Sequence, residues 1–522
     1  ASAPPAWVPD VERPLARFWR FAHCRHLSAE EAEAWLLKQS DRSVSGVGGL
    51  RTGIDEKTYA DAVDRIKGYI SAGDCYQVNF TFPLHFEWFG QPLGLYAQLR
   101  ERQPVRYGGF VGNDQTGLVS LSPELFLERR GDRLMTRPMK GTASRDQAAD
   151  VLRNSTKDRA ENLMIVDLLR NDLGRVAEKG SVTVDRLFEI ESYPTVWQMV
   201  SEISARVSGV GLSEILRALF PCGSITGAPK IRAMQIVAEL EGRPRHLYTG
   251  ALGWIAPNGD FRLNVPIRTL ELAADHRGCM GIGSGIVADS VVTMEWQECL
   301  LKSGFLRDSD PGLKLIETLR LEEGVFPSLA GHLTRLRRSA DCLAFPLDEA
   351  AVVTRLNNLP RQGVWRVRLT LDKQGEIELQ HFPLGVDPDG PRTALLSNKA
   401  IHSNDLLRRH KTTSRHLYDA ALRCLSADST VFDVIFLNER GEVAEGARSN
   451  VFVEREGVLM TPPLSCGALP GVLRAELLAS GRAREGVLWP EDLQSGFYLG
   501  NALRGLIRVT LDKEPRIEQE SS

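Results

Sequence analysis

The chain is predicted to be an α+β protein of two domains, each with its own sheet system and helices. Three observations lead there. Its 522 residues exceed what a single hydrophobic core grows to serve. Strand-like and helix-like runs are mixed along both halves. One polar, turn-rich stretch, Arg307-Asp-Ser-Asp-Pro-Gly312, separates a helical pattern ending near Phe305 from a strand-like start at Leu313. A break there gives domains over 1–307 and 312–522.

In the first half, residues 59–72 have helical spacing, Gly73-Asp74 turns the chain, and 75–82 alternate as a strand. Residues 150–173 read as one helix, whose nearly all-apolar middle, 163–169, predicts burial. Strands are expected at 118–121, 125–128 and 252–255, and a closing helix at 291–305. In the second half, strand 313–319 and helix 332–343 precede strands 364–371 and 376–381. Strands 431–438 and 450–454 follow, then a helix over 471–479. The chain shows no repeat and no low-complexity tract.

Composition narrows the partners. Hydrophobic residues at 43% and charged residues at 25% make an ordinary soluble balance. A formal charge of -3 gives no sign of nucleic acid or an anionic membrane held by bulk electrostatics. An anionic substrate must then be captured locally, by Arg, Lys, a metal or helix N-termini. The eight cysteines include no Cys-x-x-Cys pair and no zinc pattern, as in a reducing compartment. The opening Ala1-Ser-Ala-Pro-Pro5 has no signal-peptide character, and no apolar run spans a bilayer. The expectation is a soluble, cytoplasmic protein.

Residues 55–305 carry an ordered set of motifs: Ala72-Gly-Asp-Cys-Tyr-Gln-Val-Asn79, Ser122-Pro-Glu-Leu-Phe126, Arg137-Pro-Met-Lys-Gly-Thr142 and Asp158-Arg-Ala-Glu161. Gly223-Ser-Ile-Thr-Gly-Ala-Pro-Lys230, Ile267-Arg-Thr269, Gly283-Ser-Gly285 and Glu295-Trp-Gln-Glu298 continue it. In order and content the set resembles the chorismate-utilising enzymes, above all those that make aminodeoxychorismate. The resemblance implies large antiparallel sheets flanked by helices. Chorismate carries two carboxylates and must lose a poor leaving group, so a hard cation such as Mg2+ suits it. By resemblance Glu161 and Glu298 ligate that metal, with Asp158 and Glu295 nearby through water; each pair is spaced i, i+3, on one helix face. Read from spacing alone, Glu298 instead pairs with Lys302 at i, i+4.

The same resemblance makes Lys140 the nucleophile that adds at C2 as the C4 hydroxyl departs, after which ammonia enters at C4. Anthranilate-forming relatives carry Ala there. Neutrality near physiological pH requires lowering a lysine by about 3 pH units, about 4 kcal/mol. Glu124 becomes the general acid. Arg268 and Lys302 anchor substrate carboxylates, Thr142 binds beside them, and Gly283, Ser284 and Gly285 bring backbone N–H groups close. Neither glycine stretch has the context of a dinucleotide loop or a P-loop. Gln198 stands where many relatives have His, Ser284 where the familiar pattern has Gly, and the region before residue 55 is short. No glutaminase nucleophile turn is present, so the resemblance implies ammonia from a separate glutamine amidotransferase subunit.

Residues 315–508 carry a second set: Glu317-Thr-Leu-Arg320, His332-Leu-Thr-Arg-Leu336, His410-Lys-Thr-Thr-Ser-Arg415 and Glu442-Val-Ala-Glu-Gly-Ala-Arg-Ser-Asn450, then Leu469-Pro-Gly-Val-Leu-Arg474 and Asn501-Ala-Leu-Arg504. These resemble the fold-type IV enzymes of pyridoxal 5'-phosphate (PLP). The resemblance implies Lys411 as Schiff-base lysine, Glu445 as partner of the pyridine nitrogen, and a phosphate site at Val472 and Leu473 on a helix N-terminus, completed by Arg335. Ser449, Asn450 and Asn501 are polar contacts, and Thr318 assists proton transfer. Such relatives often dimerise, which implies a homodimer through this domain. Taken together the two halves imply a fusion that makes 4-aminobenzoate from chorismate. The alternatives are an aminating half joined to a branched-chain or D-amino-acid type aminotransferase, or a non-catalytic binding protein.

Overall fold

The computed structural model describes residues 15–40, 44–146, 148–192, 196–385, 391–423, 425 and 430–512, apart from the side chains of Thr142, Ser144 and Val196. Two compact units divide the chain, one taking in Leu50–Phe86 and Gly90–Ser309, the other Asp310–Ser522. Helices and strands are mixed in both, the α+β arrangement expected.

The first unit is built on two seven-stranded sheets. In one, Gln77–Phe89 pairs with Arg277–Ile286, followed by Thr269–Leu272, Gly117–Ser120 and Gly109–Gly112. In the other, Leu252–Ile255, Phe261–Asn264, Leu125–Arg130, Arg133–Arg137, Val196–Arg206 and Met139–Ser144 lie in that order. Helix Glu56–Ser71 starts at Asp55, whose side chain accepts the Thr58 N–H, and buries Tyr59, Ala62, Val63 and Ile66 at helical spacing. Tyr59 meets Phe80, Phe82 and Trp296, joining this helix to the strand Gln77–Phe89 and the helix Val292–Leu301.

The expected helix over 150–173 is two helices, Ala149–Arg153 and Thr156–Gly174. Ser155 restarts it, its side chain accepting the Asp158 N–H. Nor is its apolar middle buried throughout. Ile165, Val166, Leu169 and Leu173 pack against Phe126, Leu134 and Ile203 of the second sheet, whereas Leu163 is 44% exposed and Asp167 exposed too. Neighbours cover one face of the helix, and its apolar run is wider than that face.

The second unit has a three-stranded antiparallel sheet, Leu315–Glu322, Val364–Leu371 and Ile377–Pro383, against which helix Leu329–Leu343 packs. Its eight-stranded sheet is mixed. Thr393–Leu396 runs parallel to both Val431–Leu437 and Gly505–Leu511, and Phe497–Asn501 and Asn450–Arg455 continue antiparallel. Ile435, Val443, Val451, Phe497, Leu499 and Val509 form the core of that sheet. Among the described residues no helix is long and apolar enough to cross a membrane.

Candidate functional site

In the first unit the strands Leu125–Arg130 and Met139–Ser144 bring Glu124 and Lys140 into one electrostatic neighbourhood with Glu161, Glu298 and Lys302. Burial of its amine lowers Lys140, against the opposing pull of Glu161, Glu124 and Glu298 and with the help of Lys302. Glu124 is 3% exposed, and burial raises its carboxyl to about 7 even though it accepts the Ser224 hydroxyl at 2.6 Å. Gly141, at φ +92, turns the chain just after Lys140, and a β-carbon there would meet Asp158 at 3.0 Å. Asn162 Nδ2 reaches the Lys140 carbonyl at 3.5 Å, and Gln198 Nε2 the Gly141 carbonyl at 3.4 Å. Gln198 therefore braces the bulged strand that carries Lys140 from the neighbouring strand. Thr142 pairs by its backbone with Gln198, but its side chain lies outside the described residues.

Burial raises the Glu161 carboxyl, and the charges of Asp158 and Glu298 add to that effect against Lys140 and Lys157. What burial Glu298 has works against its charge, but Lys302 outweighs it and holds the carboxyl below its ordinary value. The Lys302 amine lies 2.8 Å from Glu298 and donates to the Gly283 carbonyl at 2.8 Å. The i, i+4 pair read from spacing is thus formed, and Lys302 is held against the glycine stretch. Glu295 accepts the Ser290 hydroxyl at 2.7 Å. Among the described residues no three His, Cys, Asp or Glu side chains converge as a ready metal cage. Yet the charges of Asp158 and Glu298 both bear on the buried Glu161 carboxyl and raise it, and a hard divalent cation would relieve that repulsion, so the donor set fits one.

Gly283 and Gly285 are required by contact: a β-carbon would stand 2.3 Å from the Phe80 carbonyl oxygen at the first and 2.2 Å from Gln77 Nε2 at the second. Ser284 between them is buried, its hydroxyl 2.9 Å from that of Tyr59. Arg268, at φ +50, accepts the Leu121 N–H on its carbonyl at 3.0 Å. Gln77 was not anticipated: its side chain is fully buried with neither amide atom hydrogen-bonded, beside Gly285.

In the second unit a cavity of about 370 Å3 gathers Lys411, Thr318, Arg335, Glu445, Ser449, Asn450, Val472 and Asn501; Leu473 is not among its walls and packs instead beside Phe452 and Leu477. Lys411 is positioned by backbone pairing. Its carbonyl accepts the Ile316 N–H at 2.8 Å, and Thr413 N–H donates to the Lys314 carbonyl at 2.9 Å. Burial, then Arg415 and Arg335, lower the Lys411 amine to about 7. Burial raises Glu445, which accepts from the Tyr418 hydroxyl and from Leu469 N–H, the latter at 2.8 Å. Arg335 donates through Nε at 2.8 Å and Nη2 at 2.5 Å to Glu317, which also bonds His332 Nδ1 at 2.6 Å.

Gly471 precedes helix Val472–Ala479, and a β-carbon on it would fall 1.9 Å from Asn450 Oδ1. Ser449 donates to Asp433 at 2.5 Å, and Asn501 donates to the Arg448 carbonyl at 3.1 Å while accepting from Leu503 and Arg504 N–H groups. A lysine near neutrality, a buried acid and a cradle closed to any side chain at Gly471 fit PLP. Arg366 and Arg368 also line the cavity and were missed. They alternate along a strand read correctly, but the cavity side of that strand emerges only in three dimensions.

Residues 22–308 match the model of the chorismate binding enzyme family, and residues 314–511 that of amino-transferase class IV. Aminodeoxychorismate synthase component 1 of Klebsiella aerogenes is 42% identical over 276 residues, 51% of this chain and 61% of that protein. Its Escherichia coli namesake is 38% identical over 284 residues, 52% of this chain and 62% of that one. The chain therefore spans less than two thirds of either relative. A crystal structure of anthranilate synthase component I from Streptococcus pneumoniae aligns with a TM-score of 0.47 and 30% identity, covering 53% of this chain and 66% of that one. The first match takes in more than half of the 522 residues and every motif that surrounds Lys140, and by it the chain belongs to the chorismate binding enzyme family.

Proposed function

We propose that the chain makes 4-aminobenzoate in two steps, aminating chorismate at the first site and releasing pyruvate at the second. The observation that carries this reading is the pairing of Lys140 with Glu124: a lysine lowered by burial beside a buried carboxyl raised to about 7. Lys140 adds through nitrogen to C2, the ring double bond shifts, and the C4–oxygen bond breaks as Glu124 protonates the departing hydroxyl. Ammonia from a separate glutamine amidotransferase subunit then forms the C4–nitrogen bond and returns Lys140. Glu161 and Glu298, with Asp158 and Glu295 nearby, would hold Mg2+, which supplies positive charge for a substrate carboxylate. Arg268, Lys302, Thr142 and the Gly283–Gly285 backbone would hold the rest of the dianion.

At the second site Lys411, Glu445, Arg335, Val472, Leu473, Ser449, Asn450 and Asn501 would hold PLP, which supplies an electron sink when bound. Arg366 and Arg368 face the same cavity and suit the two substrate carboxylates. Lys411 then moves the proton from C4, with Thr318 beside it, and the enolpyruvyl group leaves as pyruvate while the ring aromatises.

The test incubates the purified chain with chorismate, Mg2+, PLP and an ammonium salt, following 4-aminobenzoate and pyruvate by chromatography. Both products are expected, both lost in Lys140→Ala, with aminodeoxychorismate accumulating in Lys411→Ala. Anthranilate in their place would overturn the first step. Aminodeoxychorismate without pyruvate from the unaltered chain, or transfer of an amino group from an amino acid to 2-oxoglutarate, would overturn the second.

A further inference from the structure

Behind Glu124 lies a chain of buried side chains with no role in the reading above. Cys222 Sγ is 3.2 Å from Ser224 Oγ, and Ser224 Oγ donates to Glu124 Oε1 at 2.6 Å. None of the three residues is more than 3% exposed. A hydroxyl has a single proton to donate. Since Ser224 gives it to Glu124, the Cys222 thiol is the donor in the bond behind. Burial, with the charge of Glu124 added, pushes that thiol up to about 12 and keeps it protonated. The chain of donors therefore runs one way, from thiol to hydroxyl to carboxyl oxygen.

The segment presenting Ser224 is fixed on both sides. Asn79 Nδ2 donates to the Ser224 carbonyl at 3.2 Å and Asn79 N–H to the Thr226 carbonyl at 3.0 Å. Farther along, Lys230 pairs with buried Asp172 at 3.0 Å and donates to the Leu219 carbonyl at 2.7 Å. Ser224 has little freedom to turn away.

We propose that Ser224 is a positioning residue for proton transfer by Glu124: it occupies Oε1 as a donor, so that the transferable proton is carried on Oε2, and Cys222 fixes the direction of its hydroxyl. The inference rests on Glu124 being the acid of the amination step. In that step the Oε2–H bond breaks, its proton goes to the ring hydroxyl, and water leaves with the electron pair of the C4–oxygen bond. The carboxylate left behind gains negative charge, and the Ser224 bond strengthens as that charge develops. The bond therefore lowers the barrier more than it aids substrate binding. Among the described residues Ser224 and Lys140 bear on the Glu124 carboxyl, Cys222 lies behind Ser224, and the Ser122 hydroxyl bonds only the Glu124 backbone; Lys140 and Ser122 are unchanged in the variants below.

The experiment uses the full chain with chorismate, Mg2+ and a fixed concentration of free ammonia, measuring kcat and KM across pH. Thermal unfolding of the full chain followed by circular dichroism controls for folding, and pyruvate release from supplied aminodeoxychorismate controls for the other unit. Ser224→Ala is expected to lower kcat about tenfold with KM for chorismate little changed. Its alkaline limb should move to higher pH, because Glu124 loses a donor that favours its charged form. Cys222→Ser keeps a donor behind Ser224 and should behave like the unaltered chain, with Cys222→Ala falling between. Unchanged kcat and an unmoved limb in Ser224→Ala, with Glu124→Gln inactive, would overturn the positioning role and leave the amination reading intact. A fully active Glu124→Gln would overturn the acid assignment itself, and this inference with it.

Discussion

Asn450 and Gly471 are locked together across the second site: Asn450 Oδ1 lies 1.9 Å from where a β-carbon on Gly471 would stand, and its Nδ2 donates to the Leu469 carbonyl at 2.9 Å. The chain enters helix Val472–Ala479 through a gap that only hydrogen fills. Gly471→Ala must push either Asn450 or the helix start aside, a cost of about 1–3 kcal/mol. PLP should then bind at least tenfold more weakly, as titrated by the absorbance of the bound cofactor, while amination of chorismate is unaffected.

Glu317 holds Arg335 in a buried pair. Burial alone would raise its carboxyl, but Arg335 and His332 reverse that and bring it to about 2. A carboxyl depressed from its ordinary 4.5 stabilises the fold above the unfolded value, and the benefit is lost as pH falls from about 4.5 through about 2. It amounts to about 3 kcal/mol. Urea unfolding of the second unit followed against pH should show that loss. Glu317→Gln, which leaves Arg335 without its counter-charge, should cost about 3–5 kcal/mol at neutral pH.

Lys411 should take up PLP at unusually low pH. Only the neutral amine reacts, and an amine lowered to about 7 is mostly neutral just above that pH. The rate of cofactor uptake, followed by absorbance, should rise with a midpoint near about 7 instead of the ordinary lysine value near about 10.4. Arg415 is the foremost of the charges that lower it, so Arg415→Ala should move the midpoint upward. A midpoint unmoved from the ordinary lysine range in the unaltered chain would refute the assignment.

Gly141→Ala tests the bulge beside Lys140 in strand Met139–Ser144. At φ +92 an alanine is strained by about 1–3 kcal/mol, and its methyl would press on Asp158. Amination should fall tenfold or more, with pyruvate release from supplied aminodeoxychorismate unchanged.

Local chemistry was legible where it repeats at short range. The buried spacing of Tyr59, Ala62, Val63 and Ile66 and the alternation of strand Val364–Leu371 can be read directly. Strand Thr183–Ser192 was not read, because its first five residues are exposed and give no alternation of apolar and polar faces. The break at Ser155 was hidden too, since an N-cap inside a continuous helical pattern differs from a surface serine only by what its oxygen accepts. The motifs around Lys140 and Lys411 were visible as sets of residues. That Ser224 stands behind Glu124, one hundred positions away, is a product of folding and not of spacing.

Lys411 has no secondary-structure element of its own. Its segment is an annex to the strand that bears Thr318, sewn to it at Ile316 and at Lys314. The backbones that carry Lys411 and Thr318 are therefore tied to the same small sheet. Cavity walls supplied by the larger sheet, Glu445 and Asn450 among them, can then vary while the backbone tie between the Lys411 segment and the strand of Thr318 stays as it is.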